Sequence, residues 1–262
     1  MSADSQTHDP LIELISATVS QSPLDGSRPV EGVNWTLARG DWWVVGGAPW
    51  SGKSDLLATA AGLVSPLDGT HRLFGRDVEQ MEDDEFVRER MRIGLVFENG
   101  GRLFHNLTVA ENVALPLGYH RNLGAVEAAE QTAAVLELTG VTRMADSLPS
   151  RIGRPWRQRV GLARALALRP EVLLLDNPLG GLDWRQTVWW HEFLGALAAG
   201  HPHFDGRPVT LAVAVEDFRP WTGCGRQFAA LKDNRWQPLG GRESLKDTSE
   251  PALRELIEAG HP

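Results

Sequence analysis

The sequence predicts an α/β fold, a P-loop core with a mainly parallel sheet plus a helical subdomain. Three observations predict it. Gly47-Ala48-Pro49-Trp50-Ser51-Gly52-Lys53-Ser54 fits Gly-x-x-x-x-Gly-Lys-Ser/Thr, a loop that cradles phosphates. It lies between an apolar strand, Trp42–Val45, and a helical start, Ser54–Ala61. Apolar runs at Ile93–Phe97, Val172–Leu175 and Val209–Val215 have strand length and no polar alternation, as strands buried on both faces do. Helical patterns separate these runs, the order of a parallel sheet.

The elements follow in order. Leu11–Ser20 is a strand, Ser22–Arg28 a turn and Val30–Leu37 a second strand. After the glycine loop come a turn at Pro66–Gly69, a short strand at His71–Phe74 and a charged helix at Asp83–Met91. Glu98–Phe104 is a loop, and Thr108–Leu117 is helical until Pro116, because proline lacks an N–H. Gly124–Gly140 is a helix with Val126, Ala129, Ala133, Leu136 and Thr139 as its apolar face. Six arginines between Arg151 and Arg169 read as a solvated helix face. Arg185–Ala199 is a helix with Trp189, Phe193 and Leu197 as a core stripe. Gln227–Lys232 is the last clear strand. Pro251–Ala259 is an amphipathic helix with Ser249 as candidate cap. The expected organisation is one domain over 1–262: a core at 1–97 and 169–240, a helical subdomain at 98–168 and a C-terminal helix at 241–262.

The chain has 262 residues, 42 % of them hydrophobic, enough for a large core. A net charge of −8 and a pI of about 5.5 give no broad basic surface for nucleic acid. Cys224 is the one cysteine, so neither an internal disulfide nor a thiolate metal cluster is expected. No apolar run reaches the length of a membrane span, and Met1–Pro10 has no signal-peptide core. The expectation is a cytoplasmic chain.

The chemistry of the loop is specific. Backbone N–H groups of the turn and of the following helix end would cradle phosphate oxygens. Lys53 would add a cation at the terminal phosphates, and the Ser54 hydroxyl would ligate Mg²⁺. Asp176, at the end of an apolar strand, is the second expected Mg²⁺ ligand.

Gln158–Asp176, with Leu107–Leu117 and Gly181-Leu182-Asp183, resembles the ATP-binding subunits of ABC transporters. The likeness runs from Leu11 to about Leu245. The loop Phe97–Phe104 is similar to that of lipid-trafficking importers of the organic-solvent-resistance type. The resemblance implies a P-loop NTPase core of the ABC-type nucleotide-binding domain, ATP and Mg²⁺ as ligands, and membrane permease subunits as partners on the cytoplasmic face. It also implies a homodimer or heterodimer in which each site joins one chain's phosphate loop to the other's signature segment.

The departures fall on chemical positions. The family's general base aligns with Asn177, whose amide cannot take a proton. The switch histidine aligns with Glu216, and the Q-loop glutamine with Glu98. The signature Leu-Ser-Gly-Gly-Gln aligns with Ile152-Gly153-Arg154-Pro155-Trp156, where Pro155 has no N–H. Trp50 replaces a glycine, strained if φ is positive there. Asp55 adds negative charge next to the phosphates. No aromatic lies near Ser22–Leu24, where the family stacks adenine. No catalytic position is intact. The set implies binding of Mg-ATP with weak or absent hydrolysis. Two alternatives stay open: an ATPase using Glu98 or Glu216 as a substitute base, and a scaffold that no longer binds nucleotide.

Overall fold

A computed structural model describes residues 9–20, 28–101, 103–121 and 123–246. The expected turn at Ser22–Arg28, but for Arg28, and the helix at Pro251–Ala259 with Ser249 lie outside these. The chain forms two compact units. One holds the residues up to Arg90, Thr210–Ala212 and those from Glu216 on; the other holds Met91–Val209 and Val213–Val215.

The first unit begins with β1 (Pro10–Val19), β2 (Val30–Ala38) and β3 (Trp42–Gly47). Helix α1 (Lys53–Ala60) follows, then β4 (Asp68–Leu73), the two-residue β5 (Arg76–Asp77) and α2 (Asp83–Arg90). The second unit contributes β6 (Ile93–Val96), α3 (Val109–His120), α4 (Ala125–Leu138) and α5 (Arg154–Leu166). It continues with β7 (Val172–Asp176) and α6 (Trp184–Ala199). Strand β8 (Thr210–Val215) is divided between the units. The first unit closes with β9 (Gln227–Lys232), β10 (Arg235–Gly241) and α7 (Arg242–Lys246).

In the first unit the strand order is β5-β4-β1-β2-β10-β9-β3. The sheet is mixed. β1 pairs antiparallel with β2 and β4, and β9 with β10, whereas β3 pairs parallel with β9. In the second unit β6 and β7 run parallel. β3, β7 and β8 are buried at every residue, which explains their unbroken apolar runs. β6 differs from the expectation of burial on both faces: Gly94 and Val96 are buried, Ile93 and Leu95 only half so. It is the last strand in its order, so one flank lacks a neighbour.

Four further readings are corrected by packing. β10 was not expected. Asp233 and Asn234 both take positive φ, 49° and 59°, a two-residue hairpin turn between β9 and β10. Helix α3 runs through Pro116 to His120. Its buried residues Val113 and Leu117 flank the proline, and their packing outweighs one missing N–H. On α4 the buried residues are Thr132, Val135 and Leu136, while Val126 is 74 % exposed. Polar threonines lie inward because Thr132 Oγ1 donates to Ala128 O (2.7 Å) and Thr139 Oγ1 to Val135 O (2.9 Å).

The arginine run is not uniformly solvated. Arg159 is buried, 3.4 Å from the Trp189 ring centroid and 5.0 Å from that of Trp156. Its Nη2 donates to Gln186 Oε1 at 2.8 Å. Trp189 stacks in turn on Phe193, with centroids 4.8 Å apart. In the first unit Trp35, Trp43 and Trp236 cluster within 6.2 Å of one another. These five tryptophans and Arg159 are packing elements. Cys224 is a half-buried thiol, pushed up in pKa mainly by desolvation.

Candidate functional site

In the first unit, β3 delivers the chain into the glycine loop. Gly46 gives way to a ring: a Cβ there would lie 2.3 Å from the Phe218 ring. At Gly47 a Cβ would meet Ser51 Oγ at 2.4 Å and Leu231 O at 3.0 Å, so a side chain there would turn the Ser51 hydroxyl away. Gly52, with φ 90°, is the residue before α1, and a Cβ there would strike Val30 at 2.5 Å. Leu56 N donates to Gly52 O at 2.9 Å, which starts the helix at Lys53.

Lys53 is 7 % exposed. Its ammonium donates to Gly47 O and Ala48 O, both at 2.7 Å, and to Ser51 Oγ at 3.4 Å. The loop therefore wraps its carbonyls around a buried cation, as a desolvated charge requires. Ala48, Pro49, Trp50 and Ser54 are exposed. Ser54 stands in the first turn of α1 with Asp55 beside it.

Trp50 takes φ 65° and is fully exposed. The condition for strain is met, and no burial offsets it. A left-handed non-glycine residue costs about 1–2 kcal/mol. Trp50→Gly is expected to raise stability by up to about 1 kcal/mol, after glycine's greater freedom in the unfolded chain is counted. Chemical denaturation of both proteins checks it; an unchanged or lower midpoint would contradict the strain.

In the second unit, β7 ends at Asp176, which is 7 % exposed. Asn177 follows with φ 44°. Its N–H donates to Ala214 O (2.9 Å) and its carbonyl accepts from Gly180 N (3.1 Å). Its side-chain Nδ2 donates to Glu98 Oε1 at 3.3 Å. Arg154 Nη2 donates to the same oxygen, also at 3.3 Å. Residues 56 and 79 positions from Glu98 thus meet on one carboxylate oxygen. Aligning 152–156 with the signature segment gave Arg154 no partner, and the structure supplies this one. The adjacent pair Gly180-Gly181 was the available signal: a Cβ on Gly180 would lie 2.6 Å from Asn177 Nδ2, and one on Gly181 2.8 Å from Arg154 Nη1.

α5 starts at Arg154 after Gly153, with Pro155 next. Trp156 N and Arg157 N both donate to Gly153 O. Glu216, in the first unit, is exposed after β8. Its neighbour Asp217 is held in a fork by Arg219 at 2.7–2.9 Å. Among the described residues no group of three or more His, Cys, Asp or Glu could hold a metal by itself. No described helix is long and apolar enough to cross a membrane.

Comparison with known proteins agrees with this architecture. Residues 30–180 match the family described as ABC transporter. The sulfate/thiosulfate import ATP-binding protein CysA of Synechococcus elongatus is 42 % identical over 220 residues, 84 % of this chain and 60 % of that protein. The spermidine/putrescine import ATP-binding protein PotA of Trichodesmium erythraeum is 36 % identical over 234 residues, 89 % of this chain and 58 % of that protein. The chain spans about half the length of several curated relatives it matches, as with the 47 % of MetN of Lacticaseibacillus paracasei. A dimeric structure of MJ0796, a bacterial ABC transporter cassette, superposes with a TM-score of 0.74 at 28 % identity, covering 88 % of this chain and all of that one. Fold, loop and similarity agree, and the chain belongs to the ABC transporter family as a nucleotide-binding domain.

Proposed function

We propose that the chain is the ATP-binding subunit of an ABC transporter, working beneath a membrane permease on the cytoplasmic face, that binds Mg-ATP and hydrolyses it weakly or not at all. The observation that carries the binding is the loop at Gly47–Ser54 closed around the buried Lys53 ammonium. Lys53 would exchange carbonyl contacts for terminal phosphate oxygens. The N–H groups of Ser51 to Ser54 would approach the phosphates where Gly52 opens the turn. A hard cation takes oxygen ligands, and the donors here are oxygens. The exposed Ser54 hydroxyl would offer Mg²⁺ an oxygen, and Mg²⁺ would offset phosphate charge when bound.

Asn177 supports the weak-hydrolysis part. Its amide can hold a water but cannot accept the proton, a loss of roughly 10²–10⁴ in rate. Pro155 and Arg154 leave the 152–156 segment without the paired glycine amides that grip a phosphate across a dimer. Similarity to import proteins and to a dimeric cassette supports a permease partner and a homodimer or heterodimer.

Calorimetry of Mg-ATP binding to the purified chain tests the reading, with Lys53→Ala as the comparison. Loss of a charge-assisted contact worth about 1.5–3 kcal/mol weakens binding by about 10- to 100-fold. No binding by the parent at millimolar ATP would overturn it in favour of a scaffold, the reading that Trp50 and Asp55 motivate. One observation favours a second reading: Glu98 lies beside Asn177, where a substitute base would stand. In that case Glu98→Gln abolishes turnover.

A further inference from the structure

Glu98, Arg154 and Asn177 depart from the family pattern separately in sequence, yet they meet at one atom, Glu98 Oε1. Arg154 is poorly placed to be a free surface cation. Its Nε is buried with no hydrogen-bond partner, and its Nη1 lies against Gly181. The Arg154 and Glu98 side chains are 39 % and 46 % exposed, so the ion pair alone contributes little, and the arrangement stands on the shared oxygen and on the packing of Arg154 beside Gly181. Asn177 is fixed independently through its backbone. Glu98 opens the turn at Glu98–Gly100, whose Asn99 and Gly100 take positive φ. That turn also contacts α5 closely: a Cβ on Gly100 would lie 2.1 Å from Arg157 O.

We propose that Glu98, Arg154 and Asn177 form a same-chain polar clasp that pins the first turn of α5 to the turn after β6 and to the segment after β7. In the clasp Glu98 is an anchoring anion. It is shared between a guanidinium and an amide, and is not a proton acceptor. Arg154 is a positioning residue: it directs the start of α5 toward its own chain's Asn177 instead of outward. The three substitutions are then one unit, and reverting one alone leaves the other two unmatched. The clasp deepens the weak-hydrolysis reading by removing Glu98 as the substitute base. It rests on that reading only for this consequence, so the test is made without nucleotide.

Hydrogen exchange of the full chain is measured at the amides of Gly100 and Gly101 and at those of Trp156 and Arg157. The proteins are the parent, Glu98→Ala, Arg154→Ala and the double variant. Each single change is expected to speed exchange at both sites by roughly fivefold, and the double variant no more than the faster single, the mark of shared coupling. The charge-reversed pair Glu98→Arg with Arg154→Glu is expected to regain most of the protection, which a merely destabilised fold would not. Effects confined to the altered segment, a double variant equal to the product of the singles, or no recovery on reversal would each overturn the clasp.

Discussion

Gly161→Ala is expected to destabilise the second unit by about 1 kcal/mol and to displace the turn that carries Glu98. Gly161 lies on α5 facing Gly100, and a Cβ on it would meet Gly100 O at 2.3 Å, with the Gly100 carbonyl carbon at 2.7 Å. The obstacle is backbone, so no flexible side chain can move aside. Overpacking of this kind costs typically 1–3 kcal/mol, occasionally more. Alanine's better helix propensity returns about 1 kcal/mol, and the clash wins because two backbone segments must part. The same close approach sets Glu98 within reach of Arg154, so faster exchange at Gly100 and Gly101 should accompany the loss. Denaturant unfolding with an unchanged midpoint would mean that α5 does not press on the turn.

Acid is expected to weaken the first unit through His71, which lies on β4 and is 3 % exposed. Burial lowers its pKa from 6.5 to about 4. No hydrogen bond to either ring nitrogen meets strict geometry, and the Ala60 backbone and the Asp77 carboxylate pull only partly the other way. The folded state holds the ring neutral, while the unfolded chain takes up a proton below pH 6.5. Between the two values the unfolded state binds more protons, so stability rises with pH there. The contribution is fully present above about pH 6.5 and is lost progressively as pH falls to about 4, by about 3 kcal/mol in all. Carboxylates add their own acid sensitivity, so the readout is the difference between the parent and His71→Leu. The variant, apolar and of similar size, should lack this share of the slope between pH 6.5 and 4. Equal slopes would show that His71 is solvated. Because Ala60 is the last residue of α1, protonation at His71 would disturb the helix that begins at Lys53.

Much of the fold was legible because its central strands are buried on both faces and need no alternation: β3, β7 and β8 stand where the apolar runs predict them. The glycine loop was legible for a local reason. Gly52 takes a φ that most residues avoid, and Lys53 follows at the helix start. β10 could have been read too, since Asp233-Asn234 suits a turn needing two positive φ angles. The face of α4 was legible only at its C-terminal end, where Leu136 and Thr139 are buried as expected, while Val126, Ala129 and Ala133 are exposed and Thr132 is buried. Thr132 satisfies its own hydroxyl against the helix backbone, so its polarity misreports which side is inward. The burial of Arg159 could not be read, since it depends on Trp189 and Gln186 from another helix.

The sequence by itself determined the family and the Gly-x-x-x-x-Gly-Lys-Ser pattern over 47–54, because both are matters of residue type at fixed local spacing. Only the tertiary structure decided which distant residues meet. Glu98, Arg154 and Asn177 lie on a turn, a helix start and a strand end that are far apart along the chain. Their meeting depends on α5 settling onto Gly100 through Gly161, and a hydrogen bond of a few ångströms is set by such packing, which no spacing along one chain encodes.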